Sequence, residues 1–176
     1  MRKTAIIFFL LCFGCATLQS SKIQSVPEGG EAVVFDIDGT LTPRPVEMWT
    51  VRAGAADAVW RYADKGYKII YLSPRMPMFQ SGIPECLRKN GFPDGYIFVP
   101  ESLEESNNPT EFKTEILKQI IANGWQIVAA YGDSSTDFEA YATAGIPETS
   151  VFTLKREGAS ECQNSKWSKC LNGWKD

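Results

Sequence analysis

Short apolar runs alternate with helical periodicities along most of the chain. The run Ala32–Phe35 ends in acidic residues, which is typical of a buried parallel strand. Four similar runs predict further strands at Tyr67–Leu72, Tyr96–Val99, Gln126–Tyr131 and Ser150–Leu154. Apolar residues at helical spacing predict a helix through Val51, Ala55, Val59 and Tyr62 that ends at Gly66, and helices over Thr110–Ala122 and Asp137–Thr143. Strands that alternate with helices predict an α/β fold: a doubly wound, Rossmann-like parallel sheet covered on both faces.

The N-terminal residues are predicted to be a secretory signal. Arg2 and Lys3 precede the apolar stretch Ala5–Phe13, which is too short to span a bilayer stably and is followed by small residues. Cleavage before Cys15 would give a lipid-modified cysteine, because the preceding residues resemble a bacterial lipoprotein signal; ordinary cleavage after Ala16 is the alternative. We therefore expect a signal peptide over residues 1–15, a flexible tether over 16–30 and the folded domain over 31–176. We also expect export to the bacterial cell envelope, either in the periplasm or anchored to the membrane through a lipid.

Composition removes several classes of function. The 176 residues, 44% hydrophobic and 22% charged, fit one globular domain. The absence of histidine excludes Ser-His-Asp hydrolases, histidine phosphatases and zinc hydrolases with imidazole ligands. The net charge of −3 argues against nucleic acid as a partner, which would require a basic face. Catalysis must then use carboxylates, hydroxyls, lysine or thiols.

Two cysteines lie close together in the polar C-terminal tail. A disulfide between Cys162 and Cys170 would restrain a tail that has little apolar surface to bury. A metal site that also uses Cys86 is the alternative, but these three cysteines have no Cys-x-x-Cys spacing that would support it.

Polar side chains follow the predicted strands at the edge of the sheet where ligands bind in this class of fold. They are Asp36 and Asp38 after the first strand, Ser73 after the second, Lys113 at a helix start, and Asp133 and Asp137 after the fourth strand. Four acids placed together would repel one another unless a cation lies among them, and oxygen ligands favour Mg²⁺. Aspartates that only cap helices are the alternative, but two pairs at one edge favour the metal site.

A magnesium ion beside a lysine and a hydroxyl would bind a phosphoryl group. One carboxylate can then attack phosphorus to form an aspartyl-phosphate, while a second protonates the leaving oxygen and activates water. No histidine is needed for this chemistry.

Four segments resemble the ordered motifs of the haloacid dehalogenase (HAD) superfamily: Asp36-Ile37-Asp38-Gly39-Thr40-Leu41-Thr42, Ser73, Lys113 and Gly132-Asp133-Ser134-Ser135-Thr136-Asp137. The resemblance implies that Asp36 is the nucleophile and Asp38 the general acid/base. It implies that Ser73 and Lys113 bind the phosphate and that Thr40 supports the loop. The implied Mg²⁺ site comprises Asp36, Asp38 through its carbonyl, Asp133 and Asp137.

Other segments narrow this resemblance. Tyr71-Leu72-Ser73-Pro74-Arg75 and Thr136-Asp137-Phe138-Glu139-Ala140-Tyr141 are similar to the catalytic domain of lipin-type phosphatidate phosphatases and to the C-terminal domain of phosphatidylinositol-transfer proteins. This implies a phosphorylated small molecule or phospholipid as substrate. Arg75 is a candidate substrate contact because it lies beside Ser73 in the sequence. The alternatives are a broad-specificity periplasmic acid phosphatase and a non-catalytic phospholipid-binding module.

The segments around Ser73 are short. One helix and its loops fill the chain between the first acids and Ser73, and a helix, a strand and a loop fill the chain from there to Lys113. We therefore predict little or no cap domain, and an open site that admits bulky or surface-bound substrates.

Overall fold

The computed structural model describes residues 29–44, 47 and 49–176. The predicted signal peptide, the lipidation site Cys15 and nearly all of the predicted tether lie outside these residues. Among the residues described, no helix is both long enough and apolar enough to cross a membrane.

The core of the fold is a single six-stranded sheet in which every paired strand is parallel to its neighbour. The strands are β1 (Gly30–Asp36), β2 (Lys68–Leu72), β3 (Tyr96–Phe98), β4 (Trp125–Gly132), β5 (Val151–Leu154) and β6 (Lys169–Leu171). Their spatial order is β3-β2-β1-β4-β5-β6. The predicted parallel α/β sheet is confirmed, and β6 adds a strand beyond the five predicted.

Helices cover both faces of this sheet. They are α1 (Ala55–Ala63), α2 (Ile83–Lys89), α3 (Leu103–Asn107), α4 (Pro109–Ala122) and α5 (Ser135–Thr143). Alternate residues of β1 serve the two faces: Val33 and Phe35 belong to the core cluster with α1 and α2, whereas Ala32 and Val34 pack with α4 and α5. Because β1 is central, it is buried on both sides, and the doubly wound arrangement is confirmed.

The first helix begins later than its periodicity suggests. Gly54 has a φ of +79° and precedes α1, so Val51 lies outside the helix although it packs against the core. The Arg52 amide instead donates to the Leu41 carbonyl at 2.8 Å, which ties this segment to the turn after β1. In the described part of the chain, turns and the short α2 and α3 occupy the places where a cap domain would be inserted, and no cap domain is present.

The C-terminal tail folds back onto the sheet and is closed by a disulfide. Cys162 and Cys170 are bonded at 2.04 Å, and Cys170 lies in β6. The Trp174 ring is buried, and its Nε1 donates to the Thr40 carbonyl at 3.0 Å. Cys86 is free and half-buried. The tail thus contacts the turn that carries the first acids.

Candidate active site

A tight turn, Ile37–Leu41, directs the chain away from the end of β1. The Thr42 amide and hydroxyl both donate to the Ile37 carbonyl, at 2.9 and 3.1 Å. Gly39 has a φ of +95°, and a Cβ added there would lie 2.5 Å from Asp133 Oδ2. Only glycine combines this backbone conformation with so close an approach. The turn therefore brings the first motif directly against the acid that follows β4.

Lys113 joins two of the predicted acids in the interior. It lies in the first turn of α4, and its Nζ donates to Asp36 Oδ1 at 2.5 Å and also to Asp137 Oδ1. All three side chains are buried. One lysine shared between two carboxylates neutralises only part of their charge, which leaves room for a further cation.

Asp137 also organises the loop after β4. Its Oδ2 accepts from the amides of Asp133 and Ser134, both at 3.0 Å, and from the Ser134 hydroxyl at 2.8 Å. These contacts form a capping box at the N-terminus of α5, the structural role that the alternative interpretation assigned to such acids. Asp137 therefore serves the helix and the acid cluster together.

Three acids form a group that fits a divalent cation. Asp36, Asp133 and Asp137 each offer one carboxylate oxygen, and these oxygens lie within 4.8 Å of one another. Asp36 Oδ2 is buried and makes no hydrogen bond within the described structure. A buried oxygen without a partner and an all-carboxylate donor set both suit a hard cation such as Mg²⁺. Asp38, which was predicted to bind the metal through its backbone carbonyl, contributes no carboxylate oxygen to this group.

Burial and the repulsion between neighbouring carboxylates shift the pKa values of the acids in this group. Burial, and then the neighbouring charge of Asp137, raise the pKa of both Asp36 and Asp133. Burial alone would lower the pKa of Lys113, but the carboxylates of Asp137 and Asp36 outweigh it and raise that pKa. The lysine is thus charged at neutral pH, and a second cation would favour the ionised form of both acids.

Asp38 is held on both of its oxygens. The Ser73 hydroxyl donates to Oδ2 at 2.6 Å, and Arg75 Nη2 donates to Oδ1 at 2.5 Å. The amide of Arg75 donates in turn to the Ser73 hydroxyl at 3.2 Å. Ser73, which was predicted to bind the phosphate, and Arg75 therefore both contact the predicted acid/base.

The supporting contacts at the site differ in part from those that the motifs predict. The Thr40 hydroxyl, predicted to support the loop, is buried without a hydrogen-bond partner in the described structure, and Thr42, at the end of the same motif, makes the turn contacts instead. Arg52 Nη1 donates to the Gly39 carbonyl at 3.0 Å. Arg156 Nε contacts Asp133 Oδ2 at 2.5 Å. Arg52 and Arg156 come from segments without a motif, so only the folded chain brings them to the site.

The site opens into a cavity of about 720 Å³. Asp36, Asp38, Lys113 and Asp133 line one part of it. Five apolar side chains line another part: Pro43, Pro74, Met76, Phe79 and Pro109. The neighbouring Met78 is 74% exposed. The cavity is therefore lined by charged and apolar residues together, and Met76 and Phe79 among the apolar ones are partly exposed.

The fold is that of the HAD-type phosphatases. A solved D,D-heptose 1.7-bisphosphate phosphatase from B. bronchiseptica, complexed with magnesium and phosphate, aligns with a TM-score of 0.59. The alignment covers 82% of this chain and 94% of that chain at 14% sequence identity, so the likeness concerns the fold alone.

Sequence comparison gives the family. The chain belongs to the family of LNS2 domains of PITM 1-3, whose model matches residues 33–155. The membrane-associated phosphatidylinositol transfer protein 3 of Mus musculus is 33% identical over 147 residues, which cover 81% of this chain and 15% of the relative. The protein retinal degeneration B of Drosophila melanogaster is 35% identical over 137 residues, which cover 76% of this chain and 11% of the relative. The chain thus spans a small part of the length of these curated relatives.

Proposed function

We propose that this protein is a Mg²⁺-dependent phosphomonoester hydrolase that forms an aspartyl-phosphate on Asp36. The Asp36 carboxylate carries the proposal: Lys113 holds one oxygen, and the other is buried without a hydrogen bond beside an open cavity. An unpaired buried carboxylate oxygen is costly in a purely structural role. It is well suited to contact a cation and to attack an electrophile.

The residues divide the chemistry between them. Asp36, Asp133 and Asp137 would hold Mg²⁺, which supplies positive charge against the phosphoryl oxygens. Asp36 attacks phosphorus, and the bond from phosphorus to the leaving oxygen breaks as the new bond forms. Lys113 fixes the attacking carboxylate and adds a positive charge beside it.

Asp38 would act as the general acid and then as the general base. It lies beside the same cavity as Asp36, gives a proton to the leaving oxygen, and later takes one from the water that releases phosphate. Its present partners, Ser73 and Arg75, are both donors. A substrate phosphate would offer them other acceptors, so that substrate binding would free Asp38 for proton transfer.

We propose a phospholipid with a terminal phosphate, of the phosphatidic acid type, as the substrate. Met76 and Phe79 line the cavity together with the acids, and both are partly exposed. These apolar side chains would accommodate the apolar part of an amphiphilic phosphomonoester, and the mouse relative is named for phosphatidylinositol transfer. A broad-specificity acid phosphatase is the alternative within the same chemistry. Export and a lipid anchor at Cys15 belong to the same proposal, because an anchored domain would meet its substrate at a membrane.

Phosphate release by the purified protein tests the proposal. The substrates are phosphatidic acid in phosphatidylcholine vesicles and, separately, soluble p-nitrophenyl phosphate and glycerol 3-phosphate, each with Mg²⁺ and with chelator. Asp36→Asn removes the nucleophile with little change of shape, and Asp57→Asn makes the same change at an exposed position on α1. We expect Mg²⁺-dependent release that is lost in Asp36→Asn and kept in Asp57→Asn.

The choice of substrate separates the alternatives. Faster release from vesicles indicates the lipid substrate, whereas faster release from the soluble esters indicates the broad-specificity phosphatase. Vesicles that are bound but not hydrolysed by the wild-type protein would overturn the enzyme and indicate a non-catalytic phospholipid-binding module.

A further inference from the structure

A half-exposed arginine contacts one of the three acids that fit a metal. Arg156 Nε lies 2.5 Å from Asp133 Oδ2, and the arginine side chain is 52% exposed whereas that of Asp133 is buried. Arg156 also lines the cavity. It directly follows residue 155, the last residue that the family model matches.

The backbone that carries Arg156 is fixed to the site. The Lys155 amide donates to the Leu171 carbonyl at 2.8 Å, and the Lys155 carbonyl accepts from Arg52 Nη2 at 2.7 Å. Arg52 also donates to the Gly39 carbonyl of the turn after β1. Arg156 therefore starts from a fixed point beside the acids, while its own side chain extends to solvent.

Lys113 and Arg75, which also contact acids of the site, are placed differently. Lys113 is buried between the buried acids Asp36 and Asp137, and Arg75 is buried against Asp38, whose side chain is 14% exposed. Removing either from its partner would leave a buried charge uncompensated. Arg156 differs because its own side chain is half exposed to water, and a divalent cation bound at Asp133 would compensate the buried carboxylate that it leaves.

The balance of charge at the site indicates that Arg156 would leave Asp133 when a divalent cation binds. Four carboxylates, of Asp36, Asp38, Asp133 and Asp137, lie among the cationic side chains of Lys113, Arg75 and Arg156, and the charge of Arg52 also acts on Asp133. These charges balance when all four acids are ionised. A divalent cation on Asp133 competes with the Arg156 guanidinium for the same carboxylate. With the cation bound, the net charge becomes positive, which suits a phosphate dianion.

We propose that Arg156 is a substrate-binding residue that exchanges partners. Without metal it neutralises Asp133; when a divalent cation binds Asp133, the guanidinium turns to the phosphate oxygens of the substrate in the cavity. A guanidinium has five N–H donors in a fork that matches phosphate, and the contact with Asp133 uses one of them. This assignment rests on the proposed function for its substrate, and it deepens that function by naming the residue that links metal binding to phosphate binding.

Two titrations by calorimetry test the exchange without any turnover. The first titrates MgCl₂ alone, and the second titrates inorganic phosphate in the presence of saturating Mg²⁺. Arg156→Gln should bind Mg²⁺ about twofold to fivefold more tightly, because a competing half-exposed cation is gone. It should bind phosphate roughly tenfold or more weakly, because a charge-assisted hydrogen bond is lost.

Arg44→Gln is the matched control. Arg44 lines the same cavity and is 55% exposed, but its partners are Glu47 and Glu157 rather than an acid of the site. It should change both affinities by less than Arg156→Gln does. Equal effects of the two variants would show general electrostatics and overturn the exchange. A Mg²⁺ affinity of Arg156→Gln that is unchanged or weaker would also overturn it, as would an unchanged phosphate affinity.

These measurements distinguish failure of the Arg156 exchange from failure of the proposed hydrolase activity. Opposite shifts in Mg²⁺ and phosphate affinity, in a wild-type protein that hydrolyses no phosphomonoester, would keep the exchange and overturn the hydrolase. Turnover by the wild-type protein without those shifts in Arg156→Gln would keep the hydrolase and overturn the exchange.

Discussion

The close approach of Gly39 to Asp133 gives the sharpest structural prediction. In Gly39→Ala, the new Cβ would lie 2.5 Å from Asp133 Oδ2 and 2.7 Å from its Cγ, so the carboxylate must move. The residue would also keep a φ of +95°, which costs an alanine about 1–2 kcal/mol. Overpacking of a buried site adds about 1–3 kcal/mol, so we expect a total loss of about 2–5 kcal/mol in the free energy of unfolding.

Gly66→Ala separates the two contributions. Gly66 has a φ of +88°, but a Cβ there meets nothing within 4 Å, so this variant carries the backbone cost alone. Urea denaturation of both variants measures the loss of stability, and calorimetry measures Mg²⁺ affinity. Gly39→Ala should lose more stability than Gly66→Ala and should bind Mg²⁺ at least tenfold more weakly, because a displaced ligand costs a charge-assisted contact. Equal stability of the two variants, with wild-type Mg²⁺ affinity in Gly39→Ala, would refute the account of the turn.

Three further predictions concern stability and pH. Replacing Cys162 and Cys170 by serine should lower the free energy of unfolding by about 2–3 kcal/mol in urea titrations, because the unfolded chain gains freedom; no change would show that the tail is held without the disulfide. Lys113→Met should cost about 3–5 kcal/mol in the same assay, because it leaves buried acids uncompensated; a loss below that of Gly66→Ala would contradict the buried cluster. The raised pKa of Asp36 and Asp133 means that the metal-free folded protein binds more protons than the unfolded chain above about pH 4. The stability contributed by these two carboxyls therefore falls as the pH rises until they have ionised, and Mg²⁺ affinity rises over the same interval; a calorimetric Mg²⁺ affinity independent of pH would contradict this.

Much of the fold could be predicted because β1 is buried on both faces. Ala32–Phe35 is a continuous apolar run followed by acids, and the structure extends it only to Gly30–Asp36. The apolar runs predict where the strands end, and the acids lie at those ends, at one edge of the sheet. β6 and α3 could not be predicted in this way. β6 has three residues held by pairing with β5 and by the disulfide, and α3 depends on the Ser102 cap rather than on an apolar face.

The site could be predicted only as far as its motifs extend. The acids come after predicted strands and Lys113 lies near the start of a predicted helix, so their convergence follows from the topology of the sheet. The cations that neutralise these acids could not be predicted in the same way. Arg156 and Arg52 come from segments that the C-terminal tail and the start of α1 place against the turn after β1. The contact of Arg75 with Asp38 also depends on tertiary packing, because the two residues are 37 positions apart in the sequence.

A covalent phosphoenzyme on Asp36 is the central claim, and trapping it is the most direct test. The Asp38→Ala variant lacks the base that would activate water, whereas p-nitrophenyl phosphate has a leaving group that departs without an acid. Rapid acid quench of this variant with the substrate and Mg²⁺, followed by digestion and mass spectrometry, shows which peptide carries phosphate. The account predicts a phosphate on Asp36 that accumulates in Asp38→Ala, requires Mg²⁺ and is absent from Asp36→Asn. Hydrolysis of the substrate by the wild-type protein with no phosphate on Asp36, or with phosphate on another residue such as Ser73, would contradict it.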